Sequence, residues 1–299
     1  MRPLLERIKQ REVLVADGAM GTLLLQRGLK PGECPESFNL TRPEVLEEIA
    51  GLYFAAGADI LQTNTFGASP LKLAQYGLET RMDEINRRAV HAVRKIAGNR
   101  AYVVACIGPS GRMLKPYGDA EPEEVYRSYL QQLEVLTGDG VDGVFLETMT
   151  DLAEAALAVK AAKQVSPAVP VSATMTFDAT PRGFYTIMGV TIAEAAAGLQ
   201  EAGADLVGSN CGNGIAHMIE IARVFRRCTD LPLTIQSNAG LPEIKDDMPV
   251  YAETPDYMAD QARELLTLGV SVIGGCCGTT PEHTRALRKL VDTWVPTRR

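Results

Sequence analysis

Short, nearly continuous apolar runs recur along the chain, with stretches of helical hydrophobic spacing between them. Eight stand out: 13–16, 60–63, 102–106, 143–146, 169–173, 206–209, 233–236 and 270–274. Strands that alternate apolar and polar residues have one wet face, whereas runs of this kind suit parallel strands covered on both faces. The intervening segments carry helix signals. Thr41-Arg42-Pro43-Glu44, Thr254-Pro255-Asp256 and Thr280-Pro281-Glu282 each offer a polar cap and a proline in the first turn, where a missing N–H costs nothing. Glycine-bearing phrases, Ala56-Gly57-Ala58-Asp59, Gly138-Asp139-Gly140-Val141-Asp142, Ala202-Gly203-Ala204-Asp205 and Leu268-Gly269-Val270, close helices and lead into the next strand. Eight strand–helix units without a long linker predict a closed α/β barrel of the (β/α)8 type, one domain over residues 1–299. An open doubly wound sheet is the alternative.

A barrel of this kind builds its active site from the loops after the strands. The polar and glycine-rich motifs of this chain fall there: Asp17-Gly18-Ala19-Met20-Gly21-Thr22, Asn64-Thr65-Phe66-Gly67, Gly108-Pro109-Ser110-Gly111, Glu147-Thr148, Thr174, Asn210-Cys211-Gly212-Asn213-Gly214, Asn238-Ala239-Gly240 and Gly275-Cys276-Cys277-Gly278-Thr279-Thr280. The opposite ends read as plain turns, and that asymmetry predicts an enzyme.

Composition narrows the partners. Thirty Lys and Arg against 37 Asp and Glu leave a formal charge of −7, which argues against nucleic acid. No run approaches the roughly 18 apolar residues of a membrane span. The segment Met1–Arg7 lacks the apolar stretch of a signal peptide, so the expected location is cytoplasmic and the six cysteines are expected as thiols.

Three of those cysteines, Cys211, Cys276 and Cys277, end predicted strands. Adjacent residues on a regular strand point to opposite faces, so Cys276 and Cys277 converge only if the backbone leaves β geometry. Gly274, Gly275 and Gly278 supply that freedom. Three converging thiolates would match a zinc site with one open position, as in catalytic rather than structural zinc. Packing as small hydrophobes and a strained vicinal disulfide are the competing readings. Cys106 reads as strand packing, Cys228 as a helix end and Cys34 as an ordinary loop residue. His91, His217 and His283 read as structural, and Gly212-Asn213-Gly214 as a weak phosphate cradle.

At these residues the chain resembles the homocysteine S-methyltransferase family, which includes the homocysteine-binding module of cobalamin-dependent methionine synthase and the betaine- and S-methylmethionine-dependent enzymes. The resemblance runs nearly end to end, through Asp17–Thr22, Thr63–Phe66, Phe145–Thr148, Gly208–Cys211, Asn238–Gly240 and Gly274–His283. It implies that Cys211, Cys276 and Cys277 hold Zn²⁺ and that the acceptor is homocysteine. Glu147 with Asp17 would receive its amino group and backbone amides around Gly18 and Ala19 its carboxylate, with Asn64 in the same pocket. It also implies that Asn238 fills the fourth zinc position until substrate arrives.

The chemistry agrees. A free thiol near pKa 8.5 is mostly protonated at neutral pH, and zinc deprotonates it outright. Four thiolates on one Zn²⁺ carry net charge −2, which keeps electron density on the attacking sulfur without a general base. The length departs from the larger family members, whose folate, cobalamin or C-terminal extensions are not expected here. The methyl donor is therefore either methylcobalamin on a separate corrinoid protein or a small sulfonium, S-methylmethionine or S-adenosylmethionine. Two other readings stay open: another small thiol or selenol as acceptor, and a non-catalytic zinc- or thiol-binding subunit of a corrinoid methyltransferase system.

Overall fold

A computed structural model describes residues 1–245 and 248–295. Eight parallel strands form its main sheet: β1 (Leu14–Val15), β2 (Ile60–Gln62), β3 (Tyr102–Ile107), β4 (Gly143–Met149), β5 (Val171–Met175), β6 (Leu206–Asn210), β7 (Leu233–Ser237) and β8 (Val272–Gly275). Each pairs with the next, β8 pairs with β1, and a parallel bridge between Ala16 and Ile60 joins β1 to β2. The predicted (β/α)8 barrel is the observed fold. Helices such as Pro43–Ala55, Met82–Ala97, Pro122–Gly138, Leu152–Val165, Ile215–Cys228 and Pro281–Thr293 cover the outside. Among the described residues no helix is long and apolar enough to cross a membrane.

Strand boundaries moved where the expectation ignored hydrogen bonding. β5 begins at Val171 rather than 169, since Pro170 has no N–H to give a ladder. β4 runs on to Met149 through a register shift after Leu146, so Glu147 and Thr148 lie within the strand's span and not in a loop beyond it. Two antiparallel hairpins that hydrophobic periodicity did not signal rise from the rim: Asp178–Thr180 with Gly183–Tyr185, and Glu243–Lys245 with Met248–Val250.

The glycines Gly57, Gly140, Gly203 and Gly269 all adopt positive φ at the expected helix ends. The aspartates after three of them do something further. A carboxylate oxygen of Asp59 accepts from Val15 N–H at 2.9 Å, Asp142 from Val103 at 2.8 Å and Asp205 from Val171 at 2.8 Å. Each such Asp thus pins the start of a neighbouring strand.

The barrel interior changes character along its axis. At the lower end Leu14, Ala16, Ile60, Tyr102, Val104, Phe145, Leu206 and Val272 form one apolar cluster, closed from below by Leu4 and Ile8 of the helix Leu4–Lys9. Two residues further along each strand the same face carries Gln62, Cys106, Glu147, Gly208 and Gly274. Ser172 and Thr234, on strands separated by β6, share a hydrogen bond of 2.8 Å. No side chain fits at Gly208 between them, because a Cβ there would lie 1.9 Å from the Thr234 carbonyl oxygen. The strands read as apolar because their outward faces, buried under helices, are apolar. Their inward faces are mostly apolar at the lower end, where Ser172 and Thr234 satisfy each other, and become richer in polar groups towards the mouth.

Candidate metal and substrate site

The three cysteines picked out by sequence meet at the mouth. One sulfur from each of Cys211, Cys276 and Cys277 lies within 4.8 Å of the other two, and Cys211 Sγ to Cys277 Sγ is 3.7 Å. A tetrahedral zinc with bonds near 2.3 Å would set its sulfurs about 3.8 Å apart, so the trio is spaced for one such ion. All six cysteines are free thiols, so no vicinal disulfide joins Cys276 to Cys277.

Backbone geometry brings them together, partly otherwise than expected. Cys211 itself takes a left-handed φ of 59°, unusual for a residue with a Cβ, and so turns its sulfur back towards the barrel axis. Cys276 extends β8 by donating its N–H to Ser237 O at 2.7 Å, after which Thr279 closes a turn by giving N–H and hydroxyl to Cys276 O. Within this turn Gly278 has a φ of 77°, and a Cβ on it would strike the Tyr251 ring at 2.1 Å. Gly274 and Gly275 are needed for room rather than for φ. Side chains there would meet Ala16 Cβ at 2.9 Å and Thr279 Oγ1 at 2.2 Å.

The cluster's protons are shared unequally. Hydrogen bonds from Cys211, then Cys276, press the Cys277 thiol down to about 3, while those same contacts and burial hold Cys276 far above an ordinary thiol. Tyr251, from the segment after the second hairpin, also hydrogen-bonds Cys277. Sequence gave no hint of it, since its position depends on how that rim segment folds back.

Near the sulfurs lies a group of buried acceptors. Asp17 Oδ2 accepts from Gln62 N–H at 2.7 Å, but its Oδ1 is buried with no partner. Glu147 Oε1, Gln62 Oε1, Gln236 Oε1 and Asn238 Oδ1 are likewise buried and unpartnered. Burial pushes the Asp17 carboxyl up to about 7; burial and then the charge of Asp17 push Glu147 up to about 8. Five oxygens lacking donors mark a place for a ligand that brings several N–H groups, and a primary ammonium brings three.

Other expected residues are differently engaged. Ala19 N–H donates to Thr279 Oγ1 at 3.2 Å, and a Cβ on Gly18 would lie 2.5 Å from that same oxygen, so the loop is tied to the cysteine turn. Asn64 spends its amide protons on Pro35 O and Asn39 Oδ1, at 2.9 and 2.8 Å. Cys106 faces Glu147 Oε2 at 3.8 Å and so belongs to the pocket wall rather than to apolar packing. Cys34 is buried, its thiol donating to Glu36 at 3.3 Å, and Cys228 is exposed.

The phosphate cradle does not survive, because the Glu253 carboxylate already accepts from Ile215 N–H at 3.0 Å at that helix start. His283 accepts from Thr280 N–H at Nδ1 and donates from Nε2 to Glu253 O, a neutral structural clamp. His91 sits exposed beside Asp139.

Comparison with known proteins places this arrangement. A family model described as homocysteine S-methyltransferase matches residues 14–291. Methionine synthase of Mycobacterium leprae (strain TN) is 34% identical across 98% of this chain, and that of Mycobacterium tuberculosis (strain ATCC 25618 / H37Rv) is 34% identical across 96%. These alignments take in 26% and 25% of the two relatives, so the chain spans about a quarter of the length of the curated relatives it matches. Among solved structures, the metallated form of the homocysteine methyltransferase MmuM from Escherichia coli aligns with a TM-score of 0.79 at 22% identity, covering 96% of this chain and 99% of that one. Its apo form aligns with a TM-score of 0.72 at 21% identity, covering 97% and 98%. Those structural likenesses speak for a common barrel. The match extends from the first strand past the paired cysteines, and on that evidence this chain belongs to the homocysteine S-methyltransferase family.

Proposed function

We propose that this chain methylates the sulfur of homocysteine to give methionine, using Zn²⁺ held by Cys211, Cys276 and Cys277. The observation that carries the reading is the trio of sulfurs within 4.8 Å beside a pocket of unpartnered acceptors. Bound there, the metal would supply a Lewis acid that takes the thiol sulfur in place of its proton. The protein's own groups do the rest. Glu147 and Asp17 receive the substrate ammonium, with Gln62 and Gln236 adding acceptors, and the Gly18 backbone lies at the carboxylate end, where the Ala19 N–H and the Asn64 amide are already committed to Thr279, Pro35 and Asn39. Asn238, with its buried Oδ1 unpartnered, suits a ligand that holds the fourth position and yields it to substrate. No acid or base is required of a histidine, in keeping with the structural roles of His217 and His283.

The reading of the donor as methylcobalamin held on a corrinoid protein has one observation in its favour. Phe66, Met113, Tyr117, Ile187, Leu241 and Ile244, from loops that follow β2, β3, β5 and β7, are exposed around the mouth. A small sulfonium such as S-methylmethionine or S-adenosylmethionine would not need that apolar rim. The test is a donor panel with homocysteine and zinc, scored as methionine formed, on the native chain and on Cys276→Ala. Methionine should form with one donor, and Cys276→Ala should lose both zinc and turnover while keeping its helical signal. Stoichiometric zinc and normal turnover in that variant would contradict the ligand assignment.

A further inference from the structure

Asn210, the last residue of β6, is wholly buried, and its side chain uses every hydrogen-bonding group it has. Its Oδ1 accepts from the Thr148 N–H and from the Thr174 hydroxyl, each at 2.7 Å. Its Nδ2 gives one proton to Thr148 Oγ1 at 2.9 Å and directs the other at Cys276 Sγ, 3.9 Å away. An amide carries two donors and two acceptor lone pairs, so Asn210 is saturated with Cys276 as one of its partners.

Its neighbours are strained. Thr148 has a φ of 60° and Cys211 a φ of 59°, each in the left-handed region that a residue with a Cβ rarely adopts. Thr148 sits where β4 shifts register, and its N–H is taken by Asn210 rather than by a strand partner. Glu147 lies in the same shift, directly before Thr148, so one side chain grips both the backbone next to the Glu147 carboxylate and a sulfur of the cluster. It does so from the strand whose next residue is Cys211.

We propose that Asn210 is a positioning residue whose amide donates to the Cys276 thiolate, draws electron density from it, and fixes the span between the sulfur cluster and Glu147. This rests on the three-sulfur metal reading. Three thiolates against one divalent cation leave excess negative charge in a buried site, and an amide N–H aimed at one of them offsets part of it.

The proposal is tested on the full chain with two probe ions. In native protein labelled with ¹⁵N-asparagine and loaded with ¹¹³Cd²⁺, one asparagine side-chain proton should move downfield and couple to cadmium through the hydrogen bond, and it should persist in Asn238→Ala, which removes the asparagine proposed as a metal ligand. In cobalt-loaded Asn210→Asp, which keeps both acceptor contacts but loses the donor, the sulfur-to-cobalt charge-transfer band should move to lower energy. The metal dissociation constant should rise about 10–100-fold. A merely structural asparagine would leave band and coupling unmoved. An unshifted band with native affinity in the folded variant overturns the proposal. So does native protein holding cadmium with no asparagine proton displaced, which decides the matter even if Asn210→Asp does not fold. Native protein that takes up neither ion overturns the metal reading itself, a separate failure.

Discussion

Asp17 and Glu147 show how burial stores chemistry in single side chains. Both carboxyls hold protons more tightly folded than unfolded, from ordinary values of 3.8 and 4.5 up to about 7 and about 8. The stability they confer is therefore present in acid and is lost as pH rises through the interval from about 4 to 8. Denaturant titrations of the empty protein should show this downward slope, and Asp17→Asn with Glu147→Gln should flatten it. An equal slope in that double variant would remove these two groups as its source. Saturating homocysteine should also flatten the slope, because its ammonium stabilises the ionised carboxylates. Glu147→Gln alone should weaken homocysteine binding by about 1–3 kcal/mol, read by calorimetry, with unchanged affinity counting against its role. The convergence of Cys211, Cys276 and Cys277 was legible because glycines frame them at strand ends, whereas Glu147 and Asp17 stood out as polar strand ends and took their expected role only from the family resemblance. Tyr251 and Asn210 were not, since what matters in them is a partner distant in sequence: Cys277 for one, Thr148 and Cys276 for the other.

The turn from Cys276 to Thr279 carries the weight that strand geometry alone cannot. Hydrophobic periodicity located β8 and its glycines, but it assigned all three glycines to conformational freedom. Only Gly278 needs a left-handed φ; Gly274 and Gly275 are small because Ala16 and Thr279 crowd them. Such crowding is a property of tertiary approach and leaves no periodic trace. The register shift in β4 was hidden for the same reason, being visible only against its partner β5. Gly278→Ala should add left-handed strain and a collision with the Tyr251 ring, lowering stability by about 1–3 kcal/mol and loosening metal retention. Gly140→Ala is the matched control, with a similar φ of 79° and no atom within 4 Å of the added carbon. It should lose about 1–2 kcal/mol by thermal or denaturant unfolding, with metal affinity intact. If both variants retain metal equally, the tight turn is not what gathers the sulfurs.

Across the whole barrel, closure was readable because eight buried strands in sequence leave few other topologies. The polarity gradient inside was not, since outward faces under the helices and most inward positions at the bottom are both apolar. The gradient is what makes a site: Leu14, Phe145 and Val272 seal the lower end, and Gln62, Glu147 and Gln236 face an upper end beside three sulfurs. The rim hairpins were unforeseen because their strands are three residues long and too short to show alternation. The central claim is that this mouth gathers three protein sulfurs around one zinc and accepts a fourth from homocysteine. X-ray absorption at the zinc edge, on zinc-loaded protein without and with homocysteine, tests it most directly. Zinc-loaded protein should show three sulfurs near 2.3 Å with one lighter scatterer, becoming four sulfurs when homocysteine is added. Fewer than three sulfurs at the outset, or a shell that homocysteine leaves unchanged, would contradict it.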